Sequence, residues 1–167
     1  MVGSGGRADL TLRDTSGVRL PGVNLHSVRL AGANLSGCVL TGADLSFTDL
    51  FDAELSDADL SGAKMIGATL TSARLKGSDM YSTDISWSDL NKANLSEARM
   101  KDVNLACADL SGATLRGARL TGARRRRRTR HEGGDQHGAD AQAFVSAHVP
   151  VPNTERVQGA SPRPWNR

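Results

Sequence analysis

The stretch AGANLSGCVLTGADLSFTDL, residues 31–50, consists of four consecutive five-residue units that follow one pattern. Each unit carries a leucine at a position divisible by five and a small residue two places earlier, as in Ala33 and Leu35. Outside this stretch the interval persists, because every position divisible by five from Leu20 to Leu120 is Leu, Met or Ile. A spacing of five residues therefore organises more than half of the 167-residue chain.

A period of five fits neither an α-helix, with its period of 3.6, nor a flat strand, with its period of 2. Within each unit, however, the small residue and the leucine are two apart, which places both on the same face of an extended segment. The two residues after the leucine must then turn the chain. Glycine at the second of them, as in Gly37 and Gly62, suits a bend with unusual dihedral angles. The sequence predicts short extended sides and bends that wind around an axis, with the leucines inside.

The A-[D/N]-L-x-x pattern resembles that of the pentapeptide-repeat family, and the resemblance covers about residues 8–123 without an insertion. It implies an all-β fold, a right-handed quadrilateral β-helix with four units per coil. Residues 20 apart should then stack at about 4.8 Å, the spacing of neighbouring strands. We expect three segments: a flexible N-terminus (1–7), the β-helix (8–123) and an Arg-rich, disordered tail (124–167).

Composition limits the chain's location and cysteine chemistry. The net charge is +3, and the basic excess lies after residue 123. Two cysteines are too few for a disulfide framework; Cys38 takes an inward position and Cys107 an outward one, so we expect free thiols in a reducing compartment. No apolar run reaches the ~20 residues of a membrane span, and the first ten residues lack a signal-peptide core. These features predict a cytoplasmic protein without a membrane span.

The sequence contains no recognisable catalytic, cofactor-binding or metal-binding motif. A straight rod with side chains radiating outward offers no cleft in which catalytic groups converge. The segment HEGGDQH, residues 131–137, has the wrong spacing for a two-histidine zinc helix. The prediction is a protein that is not an enzyme and uses no cofactor or metal.

Apolar residues at outward positions indicate a possible contact surface, because the repeat pattern does not require apolar side chains there. Phe47 and Trp87 occupy the second bend position and Ile66 the first, in three successive coils on one side of the rod, and Phe51 lies one corner away. Large apolar groups gathered on one surface often mark contact sites. We interpret these four residues as a candidate surface for a protein partner or a homodimer. The alternative is that they fold over neighbouring coils.

Charged residues form two further features. About one coil carries six acids and no Lys or Arg: Asp44, Asp49, Asp52, Glu54, Asp57 and Asp59. This acidic belt is either solvated or in contact with a basic partner, such as the chain's own tail. The candidate basic tail begins with five arginines: Arg124, Arg125, Arg126, Arg127 and Arg128. Clustered arginines can neutralise phosphates, but no aromatic residues are interleaved for base stacking, which argues against a dedicated nucleic-acid arm.

The register is lost in mid-unit after Ala123, which raises the hypothesis of a shifted reading frame or a truncated array. Two functions remain in competition. The first is a rigid scaffold that docks to another protein, whose identity the sequence does not reveal. The second follows from the resemblance: some family members resemble duplex DNA, bind DNA gyrase and protect it from antibiotics or toxins. A DNA mimic would require negative charge at four positions that are arginines in this chain: Arg74, Arg99, Arg116 and Arg119.

Overall fold

The computed structural model describes residues 9–124. Within this range the backbone forms a ladder of parallel β-bridges, each joining a residue to the one 20 positions later, from Asp9–Arg29 to Asn104–Arg124. The described residues contain no helix, and every strand is a single bridge residue flanked by turns. The chain therefore winds into almost six coils of 20 residues, the coil length that the family resemblance implies.

The bridge residues fall into four columns, which define four faces of the rod. Each column contains one residue per coil, immediately before the central residue of its unit, which is Leu, Met or Ile at every unit from Leu20 to Leu120. Face A comprises Asp14, Asn34, Glu54, Arg74, Asn94 and Thr114, and face B comprises Arg19, Val39, Asp59, Asp79, Arg99 and Arg119. Face C comprises Asn24, Asp44, Lys64, Asp84, Asn104 and Arg124, and face D comprises Asp9, Arg29, Asp49, Thr69, Asp89 and Asp109.

Each unit donates backbone hydrogen bonds to both neighbouring coils. In the third coil, the N–H of Leu45 donates to the carbonyl of Lys64 (2.6 Å), and the N–H of Phe47 donates to that of Ile66 (2.9 Å). The N–H of Asp49 donates in the opposite direction, to the carbonyl of Val28 (3.1 Å). This pattern recurs along the rod, so backbone groups are satisfied between coils and the rod behaves as a stack of similar layers.

A tight turn forms every corner. The N–H three residues after the central residue donates back to its carbonyl, as from Thr48 to Leu45 (3.2 Å). The third residue of every turn from Leu12 to Gly122 has a positive φ of 52–73°, as a type II turn requires. Glycine fills 11 of these positions and other residues fill 12. Glycine is therefore favoured at the corner, as predicted, but it is not obligatory.

The interior consists of the central residues and the small residues two places before them. Central side chains from Leu30 to Leu90 are almost completely buried. Leu10, Leu20 and Leu25 are only partly buried, because a coil at the end of a stack has a neighbour on one side only. The inward prediction for leucine and alanine is confirmed, since these residues form one continuous core along the axis.

Polar residues at the small inward positions hydrogen-bond to backbone carbonyls. Thr48 Oγ1 donates to the carbonyl of Leu25 (3.0 Å), and Thr83 Oγ1 donates to that of Leu60 (2.8 Å). Cys38 is buried, and its thiol lies 2.9 Å from the carbonyl of Thr15. No buried side-chain nitrogen or oxygen lacks a partner in the part of the chain that is described, so the narrow core includes hydroxyls without an unmet polar group.

Arg124 is the last described residue, and it still belongs to the ladder. Its N–H donates to the carbonyl of Val103 (2.8 Å), and its own carbonyl accepts from Leu105 (2.7 Å). The described ladder thus extends one residue beyond the predicted boundary at Ala123. The rest of the basic tail, Arg125–Arg128 and onward, lies outside the described residues. Between residues 9 and 124, no helix is long and apolar enough to cross a membrane.

Candidate interaction surface

The corner between faces C and D carries most of the candidate partner surface. Its two bend positions alternate between large and small side chains from one coil to the next. The pairs are, in order along the rod, His26 and Ser27, Ser46 and Phe47, Ile66 and Gly67, Ser86 and Trp87, and Ala106 and Cys107. The large residue switches from the first bend position to the second in each successive coil. His26, Phe47, Ile66 and Trp87 therefore form a zigzag, which we call the corner ladder.

Phe47 occupies space that its neighbours leave open. Its ring lies 5.5 Å from that of His26, centroid to centroid, in an edge-to-face arrangement. On the other side it covers Gly67, where an added Cβ would lie only 2.8 Å from Phe47 Cε1. Phe47 thus packs between a histidine above and a glycine below. His26, which the sequence places alone on a bend, is part of this arrangement because its column is adjacent to that of Phe47.

Corner side chains lean consistently towards the next coil. A Cβ added to Gly32, Gly67 or Gly77 would contact the side chain at the corner 20 residues earlier. A Cβ added to Gly37, Gly42 or Gly62 would find nothing within 4 Å. The difference follows from the residue 20 positions earlier. That residue is glycine for the three open positions, and it is a larger residue for the three positions with a contact. Leu12, Phe47 and Asp57 therefore each shield the following coil.

The corner ladder remains substantially exposed despite this packing. Phe47 is 54% exposed, Trp87 56% and Phe51 50%, whereas Ile66 is half-buried and Ser46 and Ser86 beneath the ladder are buried. Phe47 therefore covers the neighbouring coil and still presents apolar surface, and the role of these residues as a partner surface stays a prediction. The structure brings Phe47, Ile66 and Trp87 to one corner. Phe51 lies at the next corner, across face D.

Tyr81 is an exposed aromatic residue that the sequence analysis did not select. It is 47% exposed and lies at the corner between faces B and C. The ammonium of Lys101, in the following coil, lies 5.7 Å from its ring centroid, within the range of a cation–π interaction. Tyr81 occupies the first of the two bend positions after Met80, so the five-residue interval alone predicts that its side chain points outward. Tyr81 is not part of the corner ladder, which makes it a useful control.

The acidic belt surrounds the rod, with one bridge-position acid on each face. Each of these acids accepts a hydrogen bond from a backbone N–H two residues later, as Asp49 does from Phe51 (3.2 Å). The same bond forms at every Asp, Asn or Glu in a bridge position of the described rod. These bonds cap the bends, and the belt acids in bridge positions thus have a structural role.

The belt acids at the corners interact with the following coil. Asp52 lies 3.2 Å from the guanidinium of Arg74, which also lies 3.8 Å from Glu54. The side chain of Asp57 lies over Gly77, where an added Cβ would meet its Oδ1. Arg74 thus offsets part of the belt's negative charge from the coil below. These pairs are about half exposed, so each contributes little to stability.

Hydrogen bonding stabilises the ionised form of two belt acids. The N–H and hydroxyl of Ser46 lower the pKa of Asp44, and the charges of His26 and Lys64 lower it further. Burial raises the pKa of Asp59, but the hydroxyl and N–H of Ser61, with Thr41 and Arg19, lower it more. The net pKa of each carboxyl lies below its ordinary value, as expected for a carboxylate that accepts several donors.

The described residues contain no candidate metal site and no paired cysteines. Across residues 9–124, no group of three or more His, Cys, Asp or Glu side chains could hold a metal ion. Both cysteines are free, Cys38 in the core and Cys107 partly exposed at the corner between faces C and D. The predicted inward and outward positions of the two thiols are confirmed.

With this geometry established, comparison with known proteins identifies the family. The family described as pentapeptide repeats matches with 8 copies over residues 19–57, 53–91 and 83–122. The chain therefore belongs to the pentapeptide-repeat family. A comparison with the curated proteins found no significant match.

Solved structures of the same family resemble this chain. The pentapeptide repeat protein Rfr23 from the cyanobacterium Cyanothece 51142 is 23% identical, with a TM-score of 0.52, covering 71% of this chain and 90% of that one. HetL from Nostoc sp. strain PCC 7120, a protein involved in heterocyst differentiation regulation, is 32% identical, with a TM-score of 0.32 over 70% of this chain and 63% of HetL. Together with the family match, the likeness to Rfr23 confirms the predicted right-handed quadrilateral β-helix.

A third structure belongs to a resistance protein. QnrB1, described as a plasmid-mediated fluoroquinolone resistance protein, is 19% identical to this chain. The match covers 70% of this chain and 69% of QnrB1, with a TM-score of 0.34. At this level of likeness it carries no argument about the function of the present chain.

Proposed function

We propose that this chain is a non-enzymatic interaction scaffold, a rigid rod that docks to a protein partner through Phe47, Phe51, Ile66 and Trp87. The observation that carries the proposal is the exposure of Phe47 and Trp87 at corner positions with positive φ. A bulky side chain in this backbone region is costly, and glycine serves the same corner at Gly67. Large aromatic residues are enriched at protein interfaces, which supports a contact role.

Rigidity supports the same proposal. Each coil is fixed to its neighbours by backbone hydrogen bonds on every face, so the spacing between Phe47 and Trp87 is set by two coil steps of about 4.8 Å. A partner would therefore meet a surface that is already organised, and little conformational entropy would be lost on binding. The proposal includes no catalytic role, because the bridge-position acids accept hydrogen bonds from the chain's own backbone.

Affinity capture with matched variants tests the proposal. Immobilised full-length protein is compared with a Phe47→Ser/Trp87→Ser variant and with a Tyr81→Ser control at another corner. We expect a specific partner to bind the parent and the control, with at least a tenfold loss for the double variant. Circular dichroism must show that all three retain the fold. Equal capture by the double variant would refute the proposed surface.

The homodimer form of the proposal has a separate readout. Analytical ultracentrifugation of the parent would show a concentration-dependent dimer, and the double variant would remain a monomer. A monomer at all concentrations for the parent would exclude self-association and leave the heterologous partner. Both outcomes concern the same surface, because no other exposed aromatic pair lies at a single corner of the described coils.

The alternative, a DNA mimic that binds gyrase, receives less support. A mimic of duplex DNA needs negative charge along its length, whereas face B carries Arg19, Arg99 and Arg119. The belt acids run around one coil, and Arg74 pairs with two of them. A supercoiling assay with purified gyrase is the test. If the protein neither inhibits gyrase nor protects it at micromolar concentration, this alternative is eliminated.

A further inference from the structure

The bridge column of face B has a charge order that the other described columns lack. Along the axis it contains Asp59, Asp79, Arg99 and Arg119, two acids followed by two bases. Within residues 9–124, the columns of faces A, C and D contain no two consecutive acids followed by two consecutive bases. The order on face B is self-complementary, because a reversed copy of it places each acid opposite a base.

Within one chain, this order leaves like charges next to each other. Asp59 is bridged to Asp79, and Arg99 is bridged to Arg119, at the strand spacing of about 4.8 Å. Like charges at directly neighbouring strand positions repel each other. Of the three contacts in this part of the column, only the one between Asp79 and Arg99 joins opposite charges, with 3.6 Å between the guanidinium and the carboxylate.

The two outer charges of the column form no ion pair among the described residues. Arg119 is exposed, and Asp59 is partly exposed; no ion pair within residues 9–124 involves either of them. The carboxylate of Asp59 accepts hydrogen bonds from Ser61 and from Thr41 Oγ1 (3.0 Å). Burial raises the pKa of Asp59, but these bonds and the charge of Arg19 lower it more, so the carboxylate keeps its negative charge.

The corner between faces A and B alternates in charge over the same four coils. It carries Asp57, Lys76, Glu97 and Arg116, one in each coil. Lys76 pairs with Glu97 within the chain, at 3.6 Å. Between residues 9 and 124, no ion pair involves Asp57 or Arg116. A reversed copy of this corner also places acids opposite bases, with Asp57 opposite Arg116 and Lys76 opposite Glu97.

The corner between faces B and C is compatible with the same reversal. It places Tyr81 opposite Lys101, and these two residues already form a cation–π contact within one chain, at 5.7 Å. The outer positions, Ser61 and Thr121, are both small and polar. Three neighbouring columns thus become complementary about a single axis, which lies halfway between the levels of Tyr81 and Lys101.

We propose that face B is the interface of an antiparallel homodimer, with a two-fold axis that lies in the plane of contact and is perpendicular to the rod. Asp79 then faces Arg99 of the second copy, and Asp59 faces Arg119 of the second copy. A contact of this symmetry is closed, and each of its ion pairs occurs twice. The basic partner of the acidic belt is therefore a second copy of the chain, which also relieves the repulsion within each column.

The contact area predicts a weak dimer. Face B is about 10 Å wide, the length of three extended residues, and the four coils span about 19 Å. The resulting area of ~200 Å² is well below the ~800 Å² that each partner buries in a standard interface. Charge complementarity therefore contributes more to this contact than apolar burial does. The dimer should dissociate at about 1 M salt, where the Debye length is near 3 Å.

This dimer goes beyond the proposed function, because it uses a different side of the rod. Face B is opposite face D and does not include Phe47, Ile66 or Trp87. The corner ladder lies outside the dimer contact, so a protein partner can bind it in the presence of the second copy. Failure of the dimer would leave the scaffold proposal standing, and the dimer does not require that a protein partner exists.

Charge exchange in the full-length chain tests the pairing. Sedimentation velocity is measured from about 10 μM to about 1 mM, the range in which weak, polar interfaces associate. The parent should dimerise as its concentration rises. Asp59→Arg or Arg119→Asp alone should weaken dimerisation by about tenfold or more, because each places like charges opposite each other. The double variant Asp59→Arg/Arg119→Asp restores opposite charges across the axis and should dimerise within about threefold of the parent.

A second exchange covers the case in which loss of the Asp59 bend cap prevents folding. Asp57 and Arg116 are corner residues that cap no bend. Asp57→Arg, Arg116→Asp and their combination should therefore repeat the pattern of loss and recovery. Circular dichroism must show that each variant retains the fold.

Two controls locate the contact. Asp89→Arg changes the net charge as Asp59→Arg does, but it lies on face D and should dimerise like the parent. Phe47→Ser/Trp87→Ser should also dimerise like the parent, and loss of the dimer in either control would overturn the proposal. A parent that stays monomeric at every concentration would overturn it as well. So would folded exchange variants that dimerise no better than the single variants, or single variants that dimerise as well as the parent.

Discussion

Gly67 and Gly62 form a natural pair for testing how corner side chains pack. Both occupy the third turn position with nearly the same φ, +64° and +65°. An alanine at either site must adopt the left-handed conformation, which costs about 1 kcal/mol. At Gly62 the added methyl meets nothing within 4 Å, whereas at Gly67 it would lie 2.8 Å from Phe47 Cε1. The two substitutions therefore differ only in the contact with Phe47.

The extra cost at Gly67 follows from displacing the aromatic ring. Phe47 is about half-exposed, so roughly 100 Å² of a side chain of about 200 Å² is covered. If the methyl lifts the ring and half of that cover is lost, the cost is about 1 kcal/mol at 25 cal/mol per Å². We expect Gly62→Ala to lower the free energy of unfolding by about 1 kcal/mol and Gly67→Ala by about 2 kcal/mol.

Urea unfolding of four variants measures this difference. The set comprises Gly62→Ala, Gly67→Ala, Phe47→Ala and Phe47→Ala/Gly67→Ala. In the Phe47→Ala background, the cost of Gly67→Ala should fall to that of Gly62→Ala, giving a coupling energy of about 1 kcal/mol. Equal losses for the two glycine variants, or a coupling energy of zero, would refute the packing of Phe47 over Gly67.

Three further predictions follow from the core and the acidic belt. Leu70→Ala removes a fully buried central side chain and should cost 2–5 kcal/mol in urea unfolding, about as much as other buried leucines; a loss below 1 kcal/mol would contradict the layered core. The folded pKa values of Asp44 and Asp59 are lowered. Their contribution to stability is therefore complete above the unfolded pKa near 4 and is lost as the pH falls through the lower folded values. Urea unfolding at a series of pH values from 2 to 6 checks this, and a free energy of unfolding that rises on acidification would contradict it. A thiol reagent should modify Cys107 in the native protein and Cys38 only in denaturant, since one is partly exposed and the other buried; rapid reaction of both would disprove the assignment.

The five-residue interval was sufficient to predict the local features of the fold, because it marks the place of every residue within its unit. The inward side chains of Leu45 and Ala43, the bend at Gly62 and the cap from Asp44 each depend on a residue's place within its own unit. Local pattern determines such features, and the structure confirms them. The 20-residue coil came from the family resemblance, since the five-residue interval alone does not specify how many sides complete a turn.

The surface was less predictable, because it depends on pairs of residues in different coils. The lean of Phe47 towards Gly67 and the contact with His26 require both the coil length and the direction in which corner side chains point. Ile66 is half-buried and lies in the coil between those of Phe47 and Trp87. Once columns are aligned at intervals of 20, the alternation of large and small residues becomes visible. The direction in which the corner side chains lean is visible only in the three-dimensional structure.

The central claim is that residues 20 apart lie in adjacent layers, because every face, corner and column depends on it. Methyl-labelled NMR measures this directly through cross-relaxation between leucine side chains. We predict strong cross-peaks from the methyl groups of Leu70 to those of Leu50 and Leu90, which flank it in the stack. Their absence in a folded protein, with Leu70 instead contacting residues at the spacing of another architecture, would contradict the account.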